Sequence, residues 1–139
     1  MARPFEILEH PADVGFLAYG STLEEMFANA ALAMITLACD SETVRETEQR
    51  KIEATGEDAE SLLFAWLAEI LAVMDAERLV LRRVVVEFLD EGRVRGVAHG
   101  EKMDRERHRM GVAIKAVTFH QLAVENIEDG WRARVFLDL

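Results

Sequence analysis

The sequence is poor in the residues that build covalent staples and phosphate cradles. It has one cysteine, Cys39, in 139 residues, so no disulfide can close within the chain, and a reducing cytoplasm is the expected compartment. Only two residues are proline and half are apolar, which excludes an intrinsically disordered composition. No apolar run approaches the ~18 residues that would suggest a membrane span, and residues 1–10 contain no signal-peptide core. Positive charge is short as well. Sixteen Lys and Arg stand against 26 Asp and Glu, a net charge of −10, which repels phosphate backbones and argues against direct nucleic-acid binding. Gly20 and Gly56 are isolated, so there is no glycine-rich phosphate loop, and no serine sits on a nucleophile elbow. The four histidines, His10, His99, His108 and His120, lack the spacing of a zinc motif. The chain carries no self-sufficient enzyme signature.

What is present is a patterned chain of one domain's length, read as a single domain over residues 1–139. Residues 5–10 read as a short strand ending at a His-Pro corner, and Val14, Phe16 and Ala18 as a second, stopping at Gly20. Ser21 and Thr22 each precede a glutamate by three (Glu24, Glu25), the capping-box spacing, so a helix starts there. Leu23, Met26, Phe27, Ala30, Met34 and Leu37 form its apolar face. Residues 40–50 read as a connection, and 51–55 as a strand closed by Gly56. Asp58 caps a second helix whose stripe is Leu63, Trp66, Leu67, Ile70, Leu71 and Met74. Beyond Arg78 the texture is β: strands over 80–89 and 93–101 around an Asp-Glu-Gly turn, a charged solvated loop over 103–111, a strand over 112–120, and a hairpin over 122–137. The expected fold class is α+β, two-layered, with two main helices on a mostly antiparallel mixed sheet.

Four places could carry chemistry. Asp13 follows His10-Pro11-Ala12, where an aspartate makes either a turn hydrogen bond or a hard-cation ligand. The last strand ends at Asp138-Leu139; if the chain stops there, two carboxylates meet at one strand end, and they repel unless solvent or a cation intervenes. Lys115 falls, by strand alternation, on one face with Ala113, Val117 and Phe119. It is either an edge-strand charge that blocks aggregation or a cation for a phosphate or carboxylate. The histidines are ordinary surface or core residues unless a site assembles them in space.

Six segments, in order, resemble one known family. They are His10-Pro11-Ala12-Asp13-Val14-Gly15, the helix start at 20–27, the 62–69 helix, Gly100-Glu101, Lys115-Ala116-Val117-Thr118-Phe119-His120 and the terminal Asp138. The combination spans nearly the whole chain and resembles the archeases. The resemblance implies an accessory factor rather than an enzyme. It would activate an RtcB-type RNA ligase, which joins RNA ends carrying a 3′-phosphate or 2′,3′-cyclic phosphate to a 5′-hydroxyl, by promoting guanylylation of the ligase and multiple turnover. It further implies a divalent-metal site, calcium in the family although magnesium or manganese suit the same oxygens, at Asp13, Asp138 and Leu139. Lys115 would be needed for activation, with His10 and His120 supporting the site. Pro11 departs from the family, where threonine is common; a hydroxyl and an N–H are lost while Asp13 stays. A general chaperone-like protein-binding module and a small metal-dependent hydrolase are the competing readings.

Overall fold

The structure is a computed structural model that describes residues 3–9 and 13–139. Two helices pack against two antiparallel sheets. The first sheet contains β1 (Phe5–Glu9), β2 (Asp13–Gly20), β6 (Ala116–Val117), β7 (Ala123–Ile127) and β8 (Gly130–Asp138). Its order is β1-β2-β8-β6, with β7 also paired to β8. The second is β3-β5-β4, from β3 (Glu48–Thr55), β4 (Leu79–Leu89) and β5 (Arg93–Lys102). The α+β expectation is met, with one refinement: the strands divide between two sheets and every pairing is antiparallel.

Helix α1 (Leu23–Ala38) begins where the capping spacing places it. Thr22 Oγ1 accepts from the Glu25 N–H at 3.1 Å, and Glu25 Oε1 accepts from the Ser21 N–H at 2.7 Å. Of the two capping candidates, Thr22 is the cap. Helix α2 (Ala59–Glu77) is capped by Asp58, which accepts from the Ser61 N–H at 2.8 Å. The stripe read from the sequence is the buried one: Leu63, Trp66, Leu67, Ile70, Leu71 and Met74 all enter the core. Trp66 is fully buried and its indole N–H donates to the Phe27 carbonyl at 3.2 Å, tying α2 to α1. Burying an aromatic of this size contributes roughly 2–3 kcal/mol, provided its polar atom finds a partner.

One predicted element is different. Residues 112–120 do not form a nine-residue strand; only Ala116–Val117 pairs as strand, the flanking Lys115 and Thr118 N–H groups also donate to β8 carbonyls, and the start of the segment turns to α1. The N–H groups of Gly111 and Val112 donate to the Ala38 and Leu37 carbonyls at 2.9 Å each, covering the C-terminal end of α1. Those carbonyls have no partner within the helix itself. A Cβ at position 111 would stand 2.0 Å from the Leu37 oxygen, so this approach requires glycine. Among the described residues, no helix is long and apolar enough to cross a membrane.

Candidate metal centre

Asp13 opens strand β2 and lies directly opposite Asp138 of β8. Side chains directly opposite in an antiparallel pair project from the same face, with Cβ atoms roughly 5 Å apart. Asp138 is in turn opposite Ala116 of β6, and its carbonyl accepts the Lys115 N–H at 2.7 Å. Three segments far apart in sequence thus meet at one end of the first sheet. Alternation assigns the faces. Val14, Phe16 and Ala18 of β2, with Ala133, Val135 and Leu137 of β8, are buried in the core. Asp13 and Asp138 therefore belong to the opposite, outer face.

The neighbouring pair on that face is Gly15 and Phe136. A Cβ on Gly15 would lie 2.6 Å from the Phe136 ring, so the glycine leaves the space the ring fills. This is a different role from shaping a corner. His120 packs edge-on to the same ring at 5.6 Å between centroids. The Thr118 hydroxyl and N–H both donate to the Phe136 carbonyl, at 3.0 and 3.1 Å. His120 is exposed, on the side of the sheet that carries the two aspartates, separated from them by Phe136.

Lys115 takes another direction. It is exposed and lines a pocket with Phe64, Ala68 and Ala72 of α2, on the helix side of the sheet. The alternation read across this segment survives although only two of its residues pair as strand: Lys115 and Val117 line the same pocket, and Phe119 stacks on Phe64 of α2. Lys115 and the carboxylates share a strand end but not a face. Leu139 follows β8 and is 39% exposed. His10, with Pro11 and Ala12, lies outside the described residues.

Asp13 and Asp138 form an all-oxygen donor set, which fits hard cations such as calcium or magnesium and disfavours thiophilic metals. One oxygen of Asp13, Oδ1, is buried. Calcium takes 6–8 oxygen ligands, so two carboxylates supply part of a shell. Among the described residues there is no cluster of three or more His, Cys, Asp or Glu side chains.

The comparisons with known proteins bear on the whole chain. Residues 5–139 match the model of the Archease protein family (MTH1598/TM1083). The chain belongs to the archease family. It is 42% identical to the protein archease of Methanosarcina mazei, over 99% of this chain and 97% of that one. To the protein archease of Methanothermobacter thermautotrophicus it is 43% identical, over 99% of each. The solution structure of Methanobacterium thermoautotrophicum protein 1598 superposes with a TM-score of 0.84 at 40% identity, covering 98% of this chain and 99% of that one. A Thermotoga maritima crystal structure, described as an archease and possible chaperone, shares the fold with a TM-score of 0.65. Its identity is 20%, covering 100% of this chain and 98% of that one.

Against this archease framework, a second polar group emerges that joins Glu101, at the end of a strand, to residues the sequence reading left in a solvated loop. Glu101 and His108 are 7% and 4% exposed. Glu101 Oε2 accepts from the Arg45 N–H at 2.7 Å and lies 2.8 Å from His108 Nε2, while Oε1 accepts from Arg107. His108 Nδ1 accepts from the Asp104 N–H at 2.9 Å, which leaves Nε2 as the donor to Glu101. Burial pushes the Glu101 carboxyl up, but donation from Arg107, Arg45 and His108 outweighs it and holds the group at about 2. The signal available in sequence was a glutamate closing a strand seven residues before a histidine in a basic run. With both ring nitrogens engaged, His108 has no lone pair for base catalysis. Cys39 is fully buried, and burial raises its thiol above the ordinary value, so it is no nucleophile.

Proposed function

We propose that the chain is an accessory factor for an RtcB-type RNA ligase, acting as one domain in the cytoplasm and touching the ligase rather than RNA. Family membership over residues 5–139 supports the class. The observation that carries the site is the cross-strand placement of Asp13 against Asp138. In this reading, Asp13 and Asp138 hold a divalent cation, calcium first and magnesium or manganese second, with Leu139 at its edge. A divalent ion neutralises phosphate charge during nucleotidyl transfer. The chain's own part is positional. The two carboxylates are fixed by paired backbone, Phe136 locks the strand end through Gly15, and His120 buttresses that ring, with His10 assigned to the same support. Lys115, on the other side of the strand end, supplies a cation for a phosphate or carboxylate of the ligase.

The test is guanylylation of a limiting amount of ligase with this protein added. Asp13→Ala should reduce the stimulated rate at least tenfold, and an unchanged rate overturns the proposal. A general protein-binding module, in line with the description of the T. maritima protein, predicts client binding that Asp13→Ala leaves intact and no stimulation by the wild type.

A further inference from the structure

The outer side of α2 carries an apolar groove separate from the two aspartates; of its lining residues, the function proposed above uses Lys115 alone. Two pockets make it. One, about 190 Å³, lies between α2 and the 103–114 segment, with Met74, Met103, Met110 and Val112 among its walls. The other, about 310 Å³, runs over Phe64, Ala68 and Ala72 to Lys115. Leu71 and Asp75 border both, so the two are continuous along the helix. Phe64 to Asp75 spans eleven residues, about 16 Å or three helical turns.

Three features define what fits. Ala68 and Ala72 sit mid-groove, where small side chains let another backbone come close. Methionines on the wall adapt to differing side chains. Beyond these, Phe119 stacks on Phe64 at 3.9 Å between centroids yet is 62% exposed, which puts a large apolar rim at one end. The groove is also built, not slack: the buried Glu101–His108 contact fixes the segment that carries Met103 and Met110.

Charge then selects the occupant. Exposed Arg105 lines the first pocket and exposed Lys115 the second; neither is in an ion pair among the described residues, and Asp75 is the one carboxylate among the lining residues. In a chain of net charge −10, a cation in each of the two pockets complements an acidic ligand. We infer that this groove docks an amphipathic helix of a partner protein, with apolar anchors at i, i+4, i+7 and i+11 and acidic residues along its flanks.

Two synthetic 16-residue helices with that leucine stripe, one flanked by glutamate and one by lysine, test the proposal. Each is titrated into the full-length, 15N-labelled protein. Overall charge favours the lysine peptide, so the two predictions differ in sign. The glutamate peptide should bind at least tenfold more tightly and move the amide signals of Ala68, Ala72, Met110 and Val112. Ala72→Trp, at an exposed position, should weaken it tenfold, and Arg105→Glu at least fivefold. Equal or tighter binding of the lysine peptide, or shifts confined to residues away from α2, overturns the inference. If Ala72→Trp loses its dispersed spectrum, Arg105→Glu and the shift map decide the outcome.

Discussion

Glu101 and Asp13 are both carboxylates at strand ends, and the residues set against them differ in charge. Glu101 is buried and ringed by donors: a guanidinium, a backbone N–H and an imidazole N–H. Asp13 faces a second carboxylate, Asp138, across two paired strands. The first arrangement stabilises the fold and engages every lone pair it needs. The second costs stability, because like charges directly opposite in a sheet repel. The difference separates a polar group that holds structure from one whose opposed charges a bound cation would offset.

The contrast can be broken most forcefully at Glu101. Glu101→Ala leaves a buried imidazole and a guanidinium without their acceptor, and should lower the unfolding free energy by roughly 3–5 kcal/mol in a denaturant titration. The pH dependence follows. Glu101 sits at about 2 against an ordinary 4.5, so unfolding takes up its proton first. Its stabilisation is complete above pH 4.5 and fades as pH falls through about 2, in total on the order of 3 kcal/mol. Acid titration of Glu101→Gln should show a shallower loss over that window; superimposable curves would show that Glu101 contributes no linkage.

At the metal centre the same logic predicts ligand-dependent stability. Calcium at about 100 times its Kd should raise the unfolding free energy by roughly 2.7 kcal/mol, read from thermal or chemical denaturation with and without chelator. Asp13→Asn should abolish the increment. The smallest effect has the reverse sign. In chelator, Asp138→Asn should stabilise the protein by roughly 0.2–1 kcal/mol by removing the cross-strand repulsion. A destabilised variant would mean that the two aspartates do not oppose one another energetically.

Both helices were legible because their signals are local: a cap, a 3–4 spacing and a stripe that has one place to go. Strand existence was legible too, while ends moved by a few residues, as for β3, which starts at Glu48 rather than Lys51. Residues 112–120 misled because apolar, β-branched composition cannot reveal that Gly111 and Val112 donate to the end of α1. The alternation within the segment was legible all the same, since Lys115, Val117 and Phe119 share the helix side. The Asp13–Asp138 pairing is a matter of register between strands more than a hundred residues apart, so the residues alone left it open and family resemblance supplied it. Glu101–His108 had a signal, but an exposed basic loop is the ordinary fate of such a run.

Strand β8 has a temporal consequence. It is the last described strand in chain order, yet it lies inside its sheet, with β2 on one side and β6 and β7 on the other. During synthesis, a slot stays open between strands already made until residues 130–138 emerge. The apolar faces of Val14 and Phe16 lack their cover for that interval, and two unfinished strand edges are presented to other chains. Insertion of β8 closes the slot, seats Phe136 over Gly15 and brings Asp138 to Asp13 in one event. The Asp13–Asp138 pair therefore reports completion of the fold: a nascent or partly unfolded molecule has no such pair to offer.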